Sequence, residues 1–242
     1  MKVLVTTKSA IDYQVKVVIK SDFSGVETDG VQMSMNPFDA IAVEACVQLQ
    51  EQNIIATSHV ITIDEDDTVL RQALAMGIQE AFQIPVQCQD PYQKALLLAE
   101  HIKQQQYDMI LMGKLGIDGD HSQIPPMLAG ILDWPIISNA SDITYDKVLE
   151  VKKETDQGIA TLSTQLPCVV SCDLRLNTPR FIALPKLLQA KKSPINLVAP
   201  ASIPENPHQR ISMTPPKQRE GNPPTDDLDT FIQQLTDGGI LS

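Results

Sequence analysis

The sequence predicts an α/β fold built on a mostly parallel, doubly wound sheet, with antiparallel strands at one edge and an extended C-terminal arm. Three observations predict it. Short apolar runs alternate with helical patterns of about ten to fifteen residues up to residue 112, the signature of βαβ units. The chain is 43% hydrophobic but only 4% aromatic, with one Trp, which suits a layered aliphatic core better than a β-sandwich. The pattern then changes between residues 141 and 172, where apolar runs are divided by polar turns such as Thr155-Asp156-Gln157-Gly158.

The elements follow in order. Residues 3–6 form a continuous apolar strand of the buried parallel type. After the single Lys only a few apolar residues precede Thr6, too short a run for a signal peptide, so it reads as a first strand. Residues 15–19 alternate and residues 22–25 suit a turn, so residues 11–31 read as an inserted hairpin. Asn36-Pro37-Phe38-Asp39 reads as a helix start, with Asn36 as N-cap, Pro37 at the first helical position and Asp39 completing a capping box. Residues 59–63 are the next strand. Asp66 and Asp67 precede a short helix stopped by Gly77. Phe82, Ile84 and Val86 alternate as a strand. Asp90-Pro91 opens a helix to about residue 105, and residues 108–112 form a further strand. Runs at 143–145, 147–151, 159–165 and 169–172 read as antiparallel additions to one edge.

Residues 1–192 are thus expected to form the folded domain, and residues 193–242 a proline-rich arm. Eight prolines lie between residues 193 and 224, so that segment is expected to run extended. The arm ends in a helical pattern with Thr225 as cap and Leu228, Phe231, Ile232 and Leu235 on one stripe, stopped by Gly238. An amphipathic helix after a linker docks either on a partner or on its own domain.

Bulk properties exclude several functions. A net charge of −11 argues against a nucleic-acid partner, which needs a broad basic face. No segment has the roughly 20 apolar residues of a membrane span. The four cysteines, at 46, 88, 168 and 172, form no CxxC pair. They read as buried thiols in a reducing compartment, with metal ligation as the alternative. No G-x-S-x-G elbow, HExxH helix or motif-like carboxylate pair is present.

Two segments draw attention. Residues 113–124, GKLGIDGDHSQI, follow a strand and precede a helix, the place where an open parallel sheet binds ligands. Gly113, Gly116 and Gly119 permit close backbone approach, although the loop is neither a Walker loop nor GxGxxG. Residues 172–192, CDLRLNTPRFIALPKLLQAKK, are basic within an acidic protein. Arg175, Arg180, Lys186, Lys191 and Lys192 surround Leu184, which stands between Pro179 and Pro185. The stretch reads either as a docking loop for an acidic partner or as a solvated loop.

Residues 172–192, with MSMNPFDAIAVEA (residues 33–45) and LRQALAMG (residues 70–77), resemble the beta subunits of the electron transfer flavoproteins. The likeness covers roughly residues 1–200. It implies an adenine-nucleotide-binding fold and the smaller subunit of a heterodimer carrying FAD, held mostly by the alpha subunit. Electrons would come from acyl-CoA-type dehydrogenases and leave through a flavoprotein–quinone oxidoreductase toward the quinone pool. An electron carrier of this type is not an enzyme in its own right; the redox chemistry belongs to the flavin. The implied location is the bacterial cytoplasm, or the mitochondrial matrix in a eukaryote.

The resemblance also implies AMP in the glycine-containing loop. Gly113, Lys114, Ile117, Asp118, Asp120 and Gln123 follow the family pattern, with Leu115, Gly116, Gly119, His121, Ser122 and Ile124 completing the loop. Thr6, Asn36, Pro37, Phe38, Asp39 and Ile63 would supply the rest, Phe38 packing against a flat ring. His121 either touches the phosphate or is simply exposed. Tyr13, on sequence alone a surface residue, would reach the flavin edge. Leu184 would enter a pocket on the dehydrogenase, with Arg180, Lys186, Lys191 and Lys192 around it.

The chain departs from the family where the usual loop continues Thr-Gly-Gln. Ile124-Pro125-Pro126 stands there instead, which removes a hydroxyl and two backbone donors. Asp118-Gly119-Asp120, with Gln123 and Pro126 following, leans toward the electron-bifurcating branch, where a second FAD takes the AMP position; LPKLLQAKK matches the ordinary branch. Two other readings share the fold: a nucleotide-binding regulator like the universal stress proteins, and an adenylating enzyme. The regulator would need neither basic loop nor arm, and the SGGxDS-type pyrophosphate loop of the enzyme is missing.

Overall fold

The computed structural model describes the whole chain except residues 89, 207, 209, 218–220, 222–224, 226 and 242. Its elements are β1 (Lys2–Thr6), β2 (Ser9–Ile11), β3 (Met33–Met35), α1 (Pro37–Glu51), β4 (Thr57–Ile63), α2 (Thr68–Met76), β5 (Glu80–Ile84), α3 (Pro91–Lys103) and β6 (Met109–Gly113). Then come α4 (Ile124–Leu132), β7 (Ile136–Asp146), β8 (Val148–Thr155), β9 (Gly158–Thr164), β10 (Cys168–Cys172), α5 (Leu184–Ala190), β11 (Asn196–Leu197) and α6 (Leu228–Asp237).

Nine strands form one sheet in the order β11-β5-β4-β1-β6-β10-β7-β8-β9. Every pairing from β11 to β7 is parallel; β7, β8 and β9 pair antiparallel. The strand period of two divides the core. Val3 and Val5 of β1 join Ile41, Val43 and Leu49 of α1 in one cluster, while Leu4 joins Leu97, Ile102 and Leu128 of α3 and α4 in the other. Burial on both faces explains why β6 and β10 are apolar without alternation. Asp90 caps α3 as its position suggests, accepting from Gln93 N at 3.0 Å, and Gly77 ends α2 at a φ of 132° that favours glycine.

Three expectations need correction. Residues 169–172 are not an antiparallel edge: β10 lies inside the sheet, parallel to both β6 and β7. All five of its residues are buried, as suits a strand paired on both sides in a sheet covered on both faces. The insert expected as a hairpin over residues 11–31 pairs as one at its base and tip only, with no continuous ladder between. Val17 and Val18 are exposed, so alternation there has no core to serve; β2 and β3 clamp the base, and one bridge, Ile19 to Val26, closes the tip. Residues 184–190 are helix α5, with Pro185 in the first turn, where its missing N–H costs nothing. Within the arm, extended chain at residues 196–197 forms β11, which adds to the free edge of β5.

Two caps also differ. Asn36 precedes α1 but its side chain makes no cap bond. At α6 the cap is Asp227, which accepts from Thr230 N at 3.0 Å, rather than Thr225. The cysteines are free, and Cys46, Cys168 and Cys172 are buried; burial pushes the Cys46 and Cys168 thiols up to about 12, so they are inert packing residues. Among the described residues no cluster could hold a metal ion, and no helix is long and apolar enough to cross a membrane.

Candidate functional site

A cavity of about 380 Å3 opens at the carboxyl ends of β1, β4 and β6. Its position follows from the topology, because backbone groups there are left unpaired by the sheet. Ile61, Ile63, Leu98 and Met112 give it an apolar wall, and the loop after β6 gives it a polar one.

That loop is held from behind. Asn36 is fully buried; its Nδ2 donates to Leu115 O at 2.8 Å and its Oδ1 accepts from Ile117 N at 3.2 Å. The two bonds fix the loop across a sequence separation of about eighty residues and explain why Asn36 does not cap α1. Gly113 is required by space: a Cβ there would stand 2.2 Å from Asp39 Oδ1 and 2.9 Å from Phe38 C. Asp39 accepts from Lys8 N at 2.9 Å. Burial pushes its carboxyl up to about 7, against hydrogen bonds from Asn36 and from the Lys8 and Gly113 backbone. Farther along, Gly119 N and Asp120 N both donate to Gly116 O, and Asp120 and Ser122 take the left-handed backbone region, uncommon for non-glycine residues outside turns and ligand sites.

Charge is mostly neutralised in place. Lys8 pairs with Asp118, and Lys114 with Asp173 at 3.1 Å. Burial opposes ionisation of Asp118, but the Lys8 contact outweighs it and lowers the carboxyl. Thr7 Oγ1 is buried at the cavity wall with no hydrogen-bond partner among the described residues, a group that a ligand would satisfy.

Most residues expected here line this cavity: Thr6, Asn36, Asp39 and Ile63, and the loop from Gly113 to Ile124 except Ile117. Ile117 contributes through its backbone bond to Asn36. Pro37 and Phe38 are not among its lining residues; the backbone of Phe38 packs against Gly113. Thr7, Lys8, Ile61, Lys94, Met112, Pro125, Arg210 and Met213 also line it without having been expected. Their places near the carboxyl ends of β4 and β6 signal Ile61 and Met112; nothing local signals Arg210 and Met213, which arrive from the arm.

The other sites lie apart. Tyr13 is 72% exposed on the insert, its hydroxyl accepting from Gln14 Nε2 at 3.1 Å. Leu184 is 66% exposed at the start of α5, near exposed Phe181 and Leu188. Lys186, Lys191 and Lys192 are exposed beside them. Arg180 is not part of that free basic surface, because it is bound to Glu44 and Glu51.

The electron transfer flavoprotein domain family matches residues 24–203. The chain is 35% identical over 248 residues to the electron transfer flavoprotein subunit beta of Dictyostelium discoideum, covering all of this chain and 99% of that protein. It is 37% identical over 254 residues to the subunit beta of Homo sapiens, with the same coverage. It is 36% identical over 246 residues to the mitochondrial subunit beta of Oryza sativa subsp. indica, covering 97% of each. With likeness running from end to end, through both the cavity loop and the basic segment, the chain belongs to the beta-subunit family of the electron transfer flavoproteins.

Proposed function

We propose that this chain is the small subunit of a heterodimer that carries electrons on FAD, accepting them from acyl-CoA-type dehydrogenases and passing them to a flavoprotein–quinone oxidoreductase. The cavity would hold AMP as a resident nucleotide. The observation that carries the reading is the cavity itself, in a chain aligned with beta subunits over its whole length. Its volume lies near the lower end of ligand pockets, about 300–1,000 Å3, and suits a mononucleotide more than a dinucleotide. Its residues fit the group: an apolar wall for the base, an unsatisfied Thr7 hydroxyl, and cationic side chains for a phosphate.

FAD would lie mainly on the alpha subunit and supplies the redox chemistry when bound. This chain's part is to present Tyr13 at the flavin edge and to offer Leu184 for docking. The working place would be the cytoplasm of a bacterium or the mitochondrial matrix.

The test is co-expression with the cognate alpha subunit, purification of the complex, and acid release of its nucleotides. One AMP and one FAD per heterodimer is the expected result. Two FAD and no AMP would favour the bifurcating branch, to which Asp118-Gly119-Asp120 leans. A chain that purifies alone and binds nucleotide without any flavoprotein partner would favour a regulator.

A further inference from the structure

Four cationic side chains face the cavity: Lys8, Lys94, Lys114 and Arg210. Lys8 and Lys114 are committed to Asp118 and Asp173. Among the described residues, Lys94 and Arg210 have no carboxylate within 4.0 Å. Burial, and then the neighbouring Lys8, holds the Lys94 ammonium below its usual range although Asp118 and Asp64 act on it from farther away, so its charge is only partly compensated and an anion in the cavity would complete the balance.

The usual anion receptor of this fold is weakened at the same point. In open α/β sheets a phosphate meets the free N–H groups at a helix start. In α4, Pro125 and Pro126 have no N–H, and Met127 N donates to Gln123 O at 3.1 Å. The first turn therefore offers little to a phosphate.

Arg210 is brought to the cavity by a strap of the arm. Ala201 N donates to Glu100 Oε1 at 2.8 Å, Gln93 Nε2 to Pro204 O at 2.5 Å, and His208 Nδ1 to Asp90 Oδ2 at 3.0 Å. All three anchors stand on or at the cap of α3, the helix that carries Lys94. Beyond Arg210 the strap reaches the insert, where Met213 N donates to Phe23 O at 2.9 Å. A single helix thus sets one cation directly and positions the other through the strap.

We propose that Lys94 and Arg210 together bind the phosphate monoester of the nucleotide, replacing the backbone donors that α4 lacks; this rests on reading the cavity as a nucleotide site. The ligand class is a nucleoside monophosphate, whose dianion matches two cations. The strap is then part of the binding site and orders the arm when the site is filled.

The full-length chain in complex with its alpha subunit, stripped of mononucleotide, is titrated with AMP and with adenosine. Parent protein is expected to prefer AMP by about a hundredfold, each charge-assisted contact being worth roughly tenfold. Lys94→Met and Arg210→Gln should each weaken AMP about tenfold and leave adenosine unchanged, the double variant should lose the preference, and Lys94→Arg should keep it. Arg210 is exposed, so Arg210→Gln tests the proposal even where a change at half-buried Lys94 impairs folding. A parent that prefers AMP, with both single variants keeping the full preference, would overturn this inference and leave the nucleotide site standing. A parent that binds neither compound would overturn both.

Discussion

Arg180 holds Glu44 in a fork, Nε donating to Oε2 at 2.8 Å and Nη2 to Oε1 at 3.0 Å. The Glu44 side chain is only 4% exposed on α1, and the Arg180 backbone N–H donates to it as well. The pair ties the segment before α5 to the domain, with Glu51 as a more exposed second acceptor at 2.6 Å. Removing one partner of a buried pair leaves the other charge desolvated. Arg180→Ala is therefore expected to destabilise the protein by about 2–4 kcal/mol and to lower Tm by several degrees. A thermal melt within a degree of the parent would show that the fork contributes no net stability.

Sequence reading located the strands that set the cavity because parallel strands buried on both faces announce themselves as continuous apolar runs. It placed β10 wrongly because an apolar run of five carries no mark of direction, and the neighbouring polar turns suggested hairpins. The glycine-containing loop was legible from its place between strand and helix. Arg180 was misread as a free charge, since a basic stretch does not say which of its members meets a carboxylate more than a hundred residues away. Lys94 and Arg210 were invisible for a related reason: one is a single Lys on an amphipathic helix, and the other reaches the cavity only through the strap. In both cases the missing information was the long-range pairing of polar groups.

Asn36 is the bracket of the cavity loop. Asn36→Ala would leave Leu115 O without its donor and Ile117 N without its acceptor, and each unsatisfied group costs about 1–3 kcal/mol. Nucleotide should dissociate at least tenfold faster from the complex, with the flavin spectrum unchanged. Gly113→Ala should be worse, since its Cβ would stand 2.2 Å from Asp39 Oδ1; loss of soluble protein is the expected outcome. Normal nucleotide retention by Asn36→Ala would show that the loop holds its shape unaided.

Acid should act through a buried trio. Tyr107 Oη lies 2.9 Å from His59 Nδ1 and 3.2 Å from His101 Nε2. Burial lowers both histidines, His101 to about 4. A base with a folded pKa below its unfolded value of about 6.5 contributes stability above that value and loses it as pH falls toward 4, because the unfolded chain then binds more protons. Asp39, raised by burial to about 7, works in the opposite sense over the same window, so the parent profile alone is partly flattened. Comparison with His101→Gln isolates the histidine. The stability advantage of the parent over this variant, from urea unfolding, should shrink by roughly 2–3 kcal/mol between pH 7 and pH 4. An advantage constant with pH would remove His101 from the account.

Helix α5 is presented by Arg71, whose Nη1 donates to Ala190 O at 3.0 Å and Lys191 O at 2.9 Å while Asp67 holds the same guanidinium at Nε. The cap fixes the C-terminus of α5 and turns Leu184 and Leu188 outward. Leu184→Ala should slow electron transfer from a dehydrogenase about tenfold at subsaturating donor, since one buried leucine is worth about 1.5–3 kcal/mol. Arg71→Met should slow it less, by disordering the helix. Equal rates for parent and Leu184→Ala would place docking elsewhere.

Helix α6 carries an apolar stripe that this chain leaves partly open. Leu228, Phe231 and Ile232 are 69%, 46% and 44% exposed, and among the described residues no side chain of α6 is fully buried. Such a stripe is costly to leave in water, because each apolar square ångström covered is worth about 25 cal/mol. Among the described residues the stripe is left incompletely covered, so the covering surface is expected on the alpha subunit rather than on its own domain. The helix itself is well formed for that purpose, with Asp227 capping its start and Gly238 its end. Deleting residues 225–242 should weaken heterodimer formation at least tenfold while leaving the melting temperature of the isolated chain unchanged. Phe231→Asp should do nearly the same by placing a charge on the stripe. A truncated chain that binds the alpha subunit with parental affinity would show that α6 serves some other surface.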